Sequence, residues 1–195
     1  MDDIRSVVAF SMPIAWMTLI LNQMAPLRKI NVLTTCILGL SILLSGIAFR
    51  NGNLIPALRF FLSPLLHADY LHLCLNVLGG FLVIGRLEET NGPRQTAVLL
   101  SAAYVCQVIL VAFYAFVVRL PIDILGLSCI VFAALGCFVH QQFRRLSNAK
   151  KSTFVISMVL MGFLEVSVRT AIVHYLAFML GLIMSLALGK VEQET

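Results

Sequence analysis

Charge is scarce in this chain: only 12% of its 195 residues are Asp, Glu, Lys or Arg, against about a quarter in soluble domains. With 60% hydrophobic residues and a mean hydropathy of +0.97, that shortage excludes an ordinary soluble domain and leaves an integral membrane protein. Paired cysteines are missing too. Cys36, Cys74, Cys106, Cys129 and Cys137 all fall in apolar runs without a CxxC spacing, so a disulfide or zinc framework is not expected, and each reads as a small buried hydrophobe. A basic leader with a small-residue cleavage pattern is lacking, since the chain opens MDDIR; the first apolar segment is therefore expected to be retained. Internal repeats and low-complexity tracts are absent. So is HExxH, and the stretch GLSCI has isoleucine at position 130, which excludes the GxSxG elbow of soluble hydrolases.

What is present is a series of seven apolar segments, at about Ser6–Ala25, Val32–Phe49, Tyr70–Gly85, Gln95–Val118, Ile124–Phe143, Ser152–Val168 and Thr170–Gly189. Each is close to the roughly 20 residues that a spanning helix needs. Helices are expected because lipid-exposed backbone must satisfy its own hydrogen bonds, and nothing alternates with period two. The first segment contains Pro13 and ends Asn22-Gln23, so it either spans or lies along the interface. If the segments alternate, nine basic residues, among them Arg144, Arg145, Lys150 and Lys151, fall in one set of loops and five in the other. The richer set is expected to be cytoplasmic, which puts the C-terminus inside. The net charge of +5 then reflects topology rather than a nucleic-acid partner. The connection Arg50–Asp69, broken by Pro56 and Pro64, is expected to lie partly in the outer interface.

Polar residues collect where the third, fifth and seventh segments enter from the outer face. His72 and Asn76 are four apart and share a helical face. Ser128 follows Asp123 by five residues and His174 follows Arg169 by five, about 7 Å of helix in each case, so the two are expected at similar depth. Intramembrane ionisable residues usually face a partner or a wet cavity, whereas a serine alone often only helps helices pack. A hydroxyl becomes a nucleophile when a neighbouring base takes its proton, and histidine is the usual base. Asn76, His72 and the Ser128 backbone N–H could supply the donors that an acyl-transfer oxyanion requires. No residue of this set resembles an orienting carboxylate, so a Ser-His dyad is expected rather than a triad.

Over about Val32 to Gly189 the chain resembles the rhomboid intramembrane serine proteases. HADYLHLCLN has the His-x4-His-x3-Asn spacing of that family's second core helix; GLSC is similar to its GxSG motif; HYLAFMLG resembles its last helix. The resemblance implies an all-α, polytopic membrane bundle with a six-helix core at 30–190, preceded by the segment 1–29 and followed by a cytoplasmic tail, 191–195. It also implies that Ser128 is the nucleophile and His174 the base, with His72, Asn76 and the Ser128 N–H as the oxyanion hole. Gly126, Phe132 and Gly181 match supporting positions, with Phe132 packing on the imidazole. Arg59 stands where the family places the arginine of its first loop, and Glu88 resembles an acidic residue after the second core helix.

His67 would point about 140° from His72 if the helix already ran there, at about 100° per residue, and it reads as a structural residue at the helix mouth. His140 reads as interfacial. Cys129 stands where the family has glycine, Leu58 where it has tryptophan and Ala177 where it has glycine; all three departures bear on substrate preference and loop anchoring more than on the dyad. No cofactor or metal is implied. The expected partners are transmembrane protein substrates and the lipid bilayer, and the expected setting is a bacterial inner membrane. The rival readings are a non-catalytic rhomboid-like protein that binds transmembrane clients, and a transporter, whose polar residues should reach the midplane on broken helices.

Overall fold

The computed structural model describes residues 31–51, 60–119, 126–143, 147–164 and 168–191. The segment 1–29, Arg59, Asp123 and the tail beyond Val191 lie outside them. Five helices are named here in chain order: α1 (Val32–Asn51), α2 (Tyr70–Ala112), α3 (Ser128–Phe143), α4 (Asn148–Leu164) and α5 (Val168–Val191). Among the described residues there is no strand. The protein is a multi-pass, all-α membrane bundle: Val32–Arg50, Tyr70–Val117 and Thr170–Ala187 are long and apolar enough to cross a bilayer. The second of these serves for two passages, because α2 breaks at Gly92 (φ 78°, ψ 164°). Its second limb restarts at Pro93, a residue whose fixed φ suits the first position of a helix. A π-helical turn, Phe113–Val117, ends that limb.

The surface is apolar, as lipid contact requires: Phe116 is 75% exposed, Ile109 62% and Leu43 60%. At the centre stands α3, buried continuously from Ser128 to Val139, as befits a helix that is hydrophobic all round. Its described residues, Ser128–Phe143, begin at the end that carries the Ser128 hydroxyl.

The ends of the segments differ from those that charge spacing suggests. The third was expected to stop at Gly85, yet the helix continues through Arg86, Glu88 and Glu89 to the break at Gly92. Those charges are satisfied where they stand. Arg86 Nη1 pairs with Glu89 Oε2 at 2.9 Å, and the buried Glu88 accepts from the backbone N–H groups of Leu33 (3.1 Å) and Thr34 (2.8 Å) and from Thr34 Oγ1 (2.8 Å). A carboxylate on the open N–H groups of a helix N-terminus is favourable in both hydrogen bonding and dipole, so Glu88 fastens α1 to the end of the first limb of α2. Glu88→Gln is expected to lower stability by about 1–2 kcal/mol, read as a fall in Tm of the purified protein with its helical circular dichroism retained at low temperature.

Residues 63–67, the described end of the first connection, are buried in the bundle. Irregular backbone at that position must find partners. Ser41 Oγ and Ser45 Oγ, one turn apart on α1, donate to Leu65 O at 2.9 and 3.2 Å; Gly126 N–H donates to Ser63 O at 2.9 Å; Tyr104 Oη donates to Phe61 O.

Candidate active site

Ser128 is the first residue of α3, not a point a turn and a half along a helix, because Gly126 (φ 113°) turns the chain just before it. On α5, His174 lies six residues in from Val168. Unequal helical depths nonetheless bring the pair together: Ser128 Oγ and His174 Nε2 are 2.9 Å apart and hydrogen-bonded, and each residue is 4% exposed. Phe132, one turn along α3, lies on the imidazole with ring centroids 4.5 Å apart and planes 19° from parallel. That stack limits how far the ring can turn.

The two helices can meet so closely because glycines face backbone at their crossing. A Cβ on Gly181 would lie 1.8 Å from Ala133 O, and one on Gly136 would lie 2.1 Å from Phe178 O. Gly136 was not singled out in the sequence, although its spacing from Ser128 could have been compared with that of Gly181 from His174. Cys129 is buried at 3% exposure.

Opposite the pair stands the N-terminus of α2. Asp69 caps it by accepting from His72 N–H at 2.7 Å. Asn76 is fully buried; its Nδ2 donates to His72 O at 3.0 Å, and its Oδ1 has no hydrogen-bond partner among the described residues. The His72 ring faces Gly126, where an added Cβ would meet His72 Cε1 at 2.9 Å and His67 Cδ2 at 3.4 Å. Any side chain at 126 would thus strike imidazoles while also straining a positive φ. Ser128 sits at the N-terminal end of α3, where the first N–H groups have no acceptor within the helix and the dipole favours negative charge. A hydroxyl beside an imidazole, with open amide donors next to it, is an arrangement able to carry out acyl transfer.

His67 precedes the helix, which begins at Tyr70, so the angular comparison with His72 does not apply. Instead the two rings meet edge to face, centroids 5.1 Å apart. Leu127 N–H donates to His67 Nε2 at 3.3 Å. The ring proton therefore sits on Nδ1 and is given to Ser45 Oγ at 3.0 Å, whose own hydroxyl donates to Leu65 O. This relay ties α1, the first connection and the turn before Ser128 into one unit. Burial, then the neighbouring His72 charge, lower the His67 pKa from 6.5 to about 4. The folded protein thus prefers the neutral ring while the unfolded chain takes up a proton as pH falls below 6.5. The stability from this residue is complete above pH 6.5 and is lost between 6.5 and about 4. Tm is expected to fall between pH 7 and pH 4.5, and to fall measurably less in His67→Asn.

Gln107 on α2 was missed in the sequence. Its Nε2 donates to Gly126 O at 3.1 Å, bracing the turn from the side opposite Ser63. A lone glutamine in an apolar run was the available signal. Arg59 is outside the described residues.

The family model described as Rhomboid domain matches residues 56–193. No curated protein and no solved structure matched the chain.

Proposed function

The chain belongs to the rhomboid family, and from that premise we propose that it is an intramembrane serine endopeptidase acting on transmembrane proteins through Ser128 and His174. The observation that carries this reading is the buried 2.9 Å hydrogen bond between a hydroxyl and an imidazole borne on different helices. His174 Nε2 takes the Ser128 proton as Oγ attacks the scissile carbonyl. Negative charge then develops on the carbonyl oxygen. The Ser128 N–H at the α3 N-terminus, the His72 ring and Asn76 Nδ2 are its donors; an amide has two N–H bonds, and His72 O takes only one of them. The proton on His174 passes to the leaving amine, and water admitted from the near face hydrolyses the acyl-enzyme. The stack on Phe132 restrains the imidazole, which fits a dyad.

The substrate is a membrane-spanning segment cleaved in or near its outer-leaflet part. Its helix must unwind locally, since helical carbonyls are engaged, and Gly or Pro in the substrate eases this. The connection before His67 and the second limb of α2 are the proposed routes of lateral access. The distribution of basic loops places the C-terminus in the cytoplasm in this reading. Fluorophosphonate probing of purified protein in membranes tests the reading: labelling of Ser128 that His174→Ala abolishes is expected. An unlabelled Ser128 in folded protein would replace the peptidase with a binder of transmembrane clients.

A further inference from the structure

The two helices that carry Ser128 and His174 also share a second Ser-His hydrogen bond, with the residue types exchanged. His140 Nδ1 and Ser185 Oγ are 2.9 Å apart, His140 now on α3 and Ser185 on α5. Ser185 is 3% exposed. We propose that His140 and Ser185 are positioning residues: their bond, beyond the glycine crossing, holds α3 and α5 at the angle that brings Ser128 to His174.

The lever is visible in the numbering. The crossing runs from Ala133 to Gly136 on α3 and from Phe178 to Gly181 on α5. Ser128 and His174 lie five and four residues outward of it, and His140 and Ser185 lie four residues inward on each helix. At about 1.5 Å per residue the arms are about 6–7.5 Å each way. Backbone-to-backbone contact leaves the crossing no room to slide, so the remaining freedom is rotation about it. A swing that opens the inner end shifts the outer pair by a similar distance, and a displacement of about 1 Å can cost about 10²-fold in rate.

The inner end is also tied to the helix that bears His72 and Asn76. Gln141 Nε2, next to His140, donates to Asn91 Oδ1 at 3.0 Å, and Asn91 ends the first limb of α2 at the Gly92 break. The same three helices that meet at the candidate active site are thus joined again by polar side chains at their opposite ends. An apolar pair would pack there but would not define an angle, since a hydrogen bond restricts direction as well as distance.

This inference rests on the peptidase reading, because the angle matters to chemistry only if Ser128 reacts. Its test compares wild-type protein with Ser185→Ala, His140→Leu and His140→Asn, the last retaining an N–H donor at the δ position. Three quantities are read: the rate of fluorophosphonate labelling, the ¹⁵N shifts of the His174 ring, and Tm. Ser185→Ala and His140→Leu are expected to slow labelling about tenfold and to move the His174 Nε2 shift, with His140→Asn restoring both. Joining the two substitutions should add little to either alone. Unchanged labelling and unchanged His174 shifts in Ser185→Ala and His140→Leu would overturn the proposal. So would losses that follow Tm alone and are not restored by His140→Asn. If wild-type protein is neither labelled nor active while its His174 shift still responds to Ser185→Ala and recovers in His140→Asn, the peptidase reading fails and the inner clasp stands.

Discussion

Replacing Ser128 with alanine is expected to lower cleavage of a single-span substrate by at least about 10⁴-fold, leaving only what binding and oxyanion donors supply without a nucleophile. The fold should survive. The Ser128 hydroxyl is engaged with His174 rather than with its own helix, so alanine removes one buried hydrogen bond, worth about 1 kcal/mol, and leaves the α3 N-terminus and the Leu127–His67 contact intact. His174→Ala should be as severe, and the double variant no worse than either single one, because two groups that act as a unit are lost once. Mass spectrometry of products from a panel of transmembrane substrates, with Tm measured on the same preparations, reads all three. Cleavage by purified Ser128→Ala at the wild-type rate would remove the dyad and the proposed mechanism with it.

Gly181→Ala is expected to be nearly as damaging without touching either reacting group. The added Cβ would sit 1.8 Å from Ala133 O and 2.9 Å from Cys137 N. Both obstacles are backbone, so no side chain can turn aside and the helices must part. Parting by about 1 Å at the crossing carries Ser128 and His174 out of reach and costs about 10²-fold or more in kcat, together with a fall in Tm. Gly136→Ala should behave alike, since its Cβ would meet Phe178 O at 2.1 Å. Gly39 and Gly46 on α1 are the controls: a Cβ there meets nothing within 4 Å, and alanine, the better helix former, should leave both rate and Tm intact. Full activity in Gly181→Ala would mean that this close approach is not what brings the pair together.

Much of this protein was open to reading in one dimension. Membrane residence follows from composition, because a chain with so little charge has no soluble surface to offer. The break between the two limbs of α2 is marked by Asn91-Gly92-Pro93. Ser128, His174, His72 and Asn76 stood out because polar groups in apolar runs are costly and therefore few. Other features were hidden. Charges divided the third segment from its loop in the sequence, yet Arg86, Glu88 and Glu89 are helical, since their partners lie on neighbouring turns or on α1. Ser41, Ser45 and Ser63 looked like ordinary small residues of membrane helices and loops until a buried connection needed their hydroxyls and carbonyls. Ser185 and His140 are 45 residues apart, and nothing local couples them.

The solvent this chain lives in, the helical class of its elements and the short set of residues capable of chemistry are all written locally along the chain. These depend on hydrophobicity, backbone hydrogen bonding and side-chain pKa, which are properties of single residues and of their near neighbours. It took the folded arrangement to reveal that Ser128 opens its helix, that His67 braces the turn before it, and that two glycines let α3 and α5 touch. Those outcomes depend on which backbone meets which across dozens of residues, and a contact of that kind is set by packing in three dimensions.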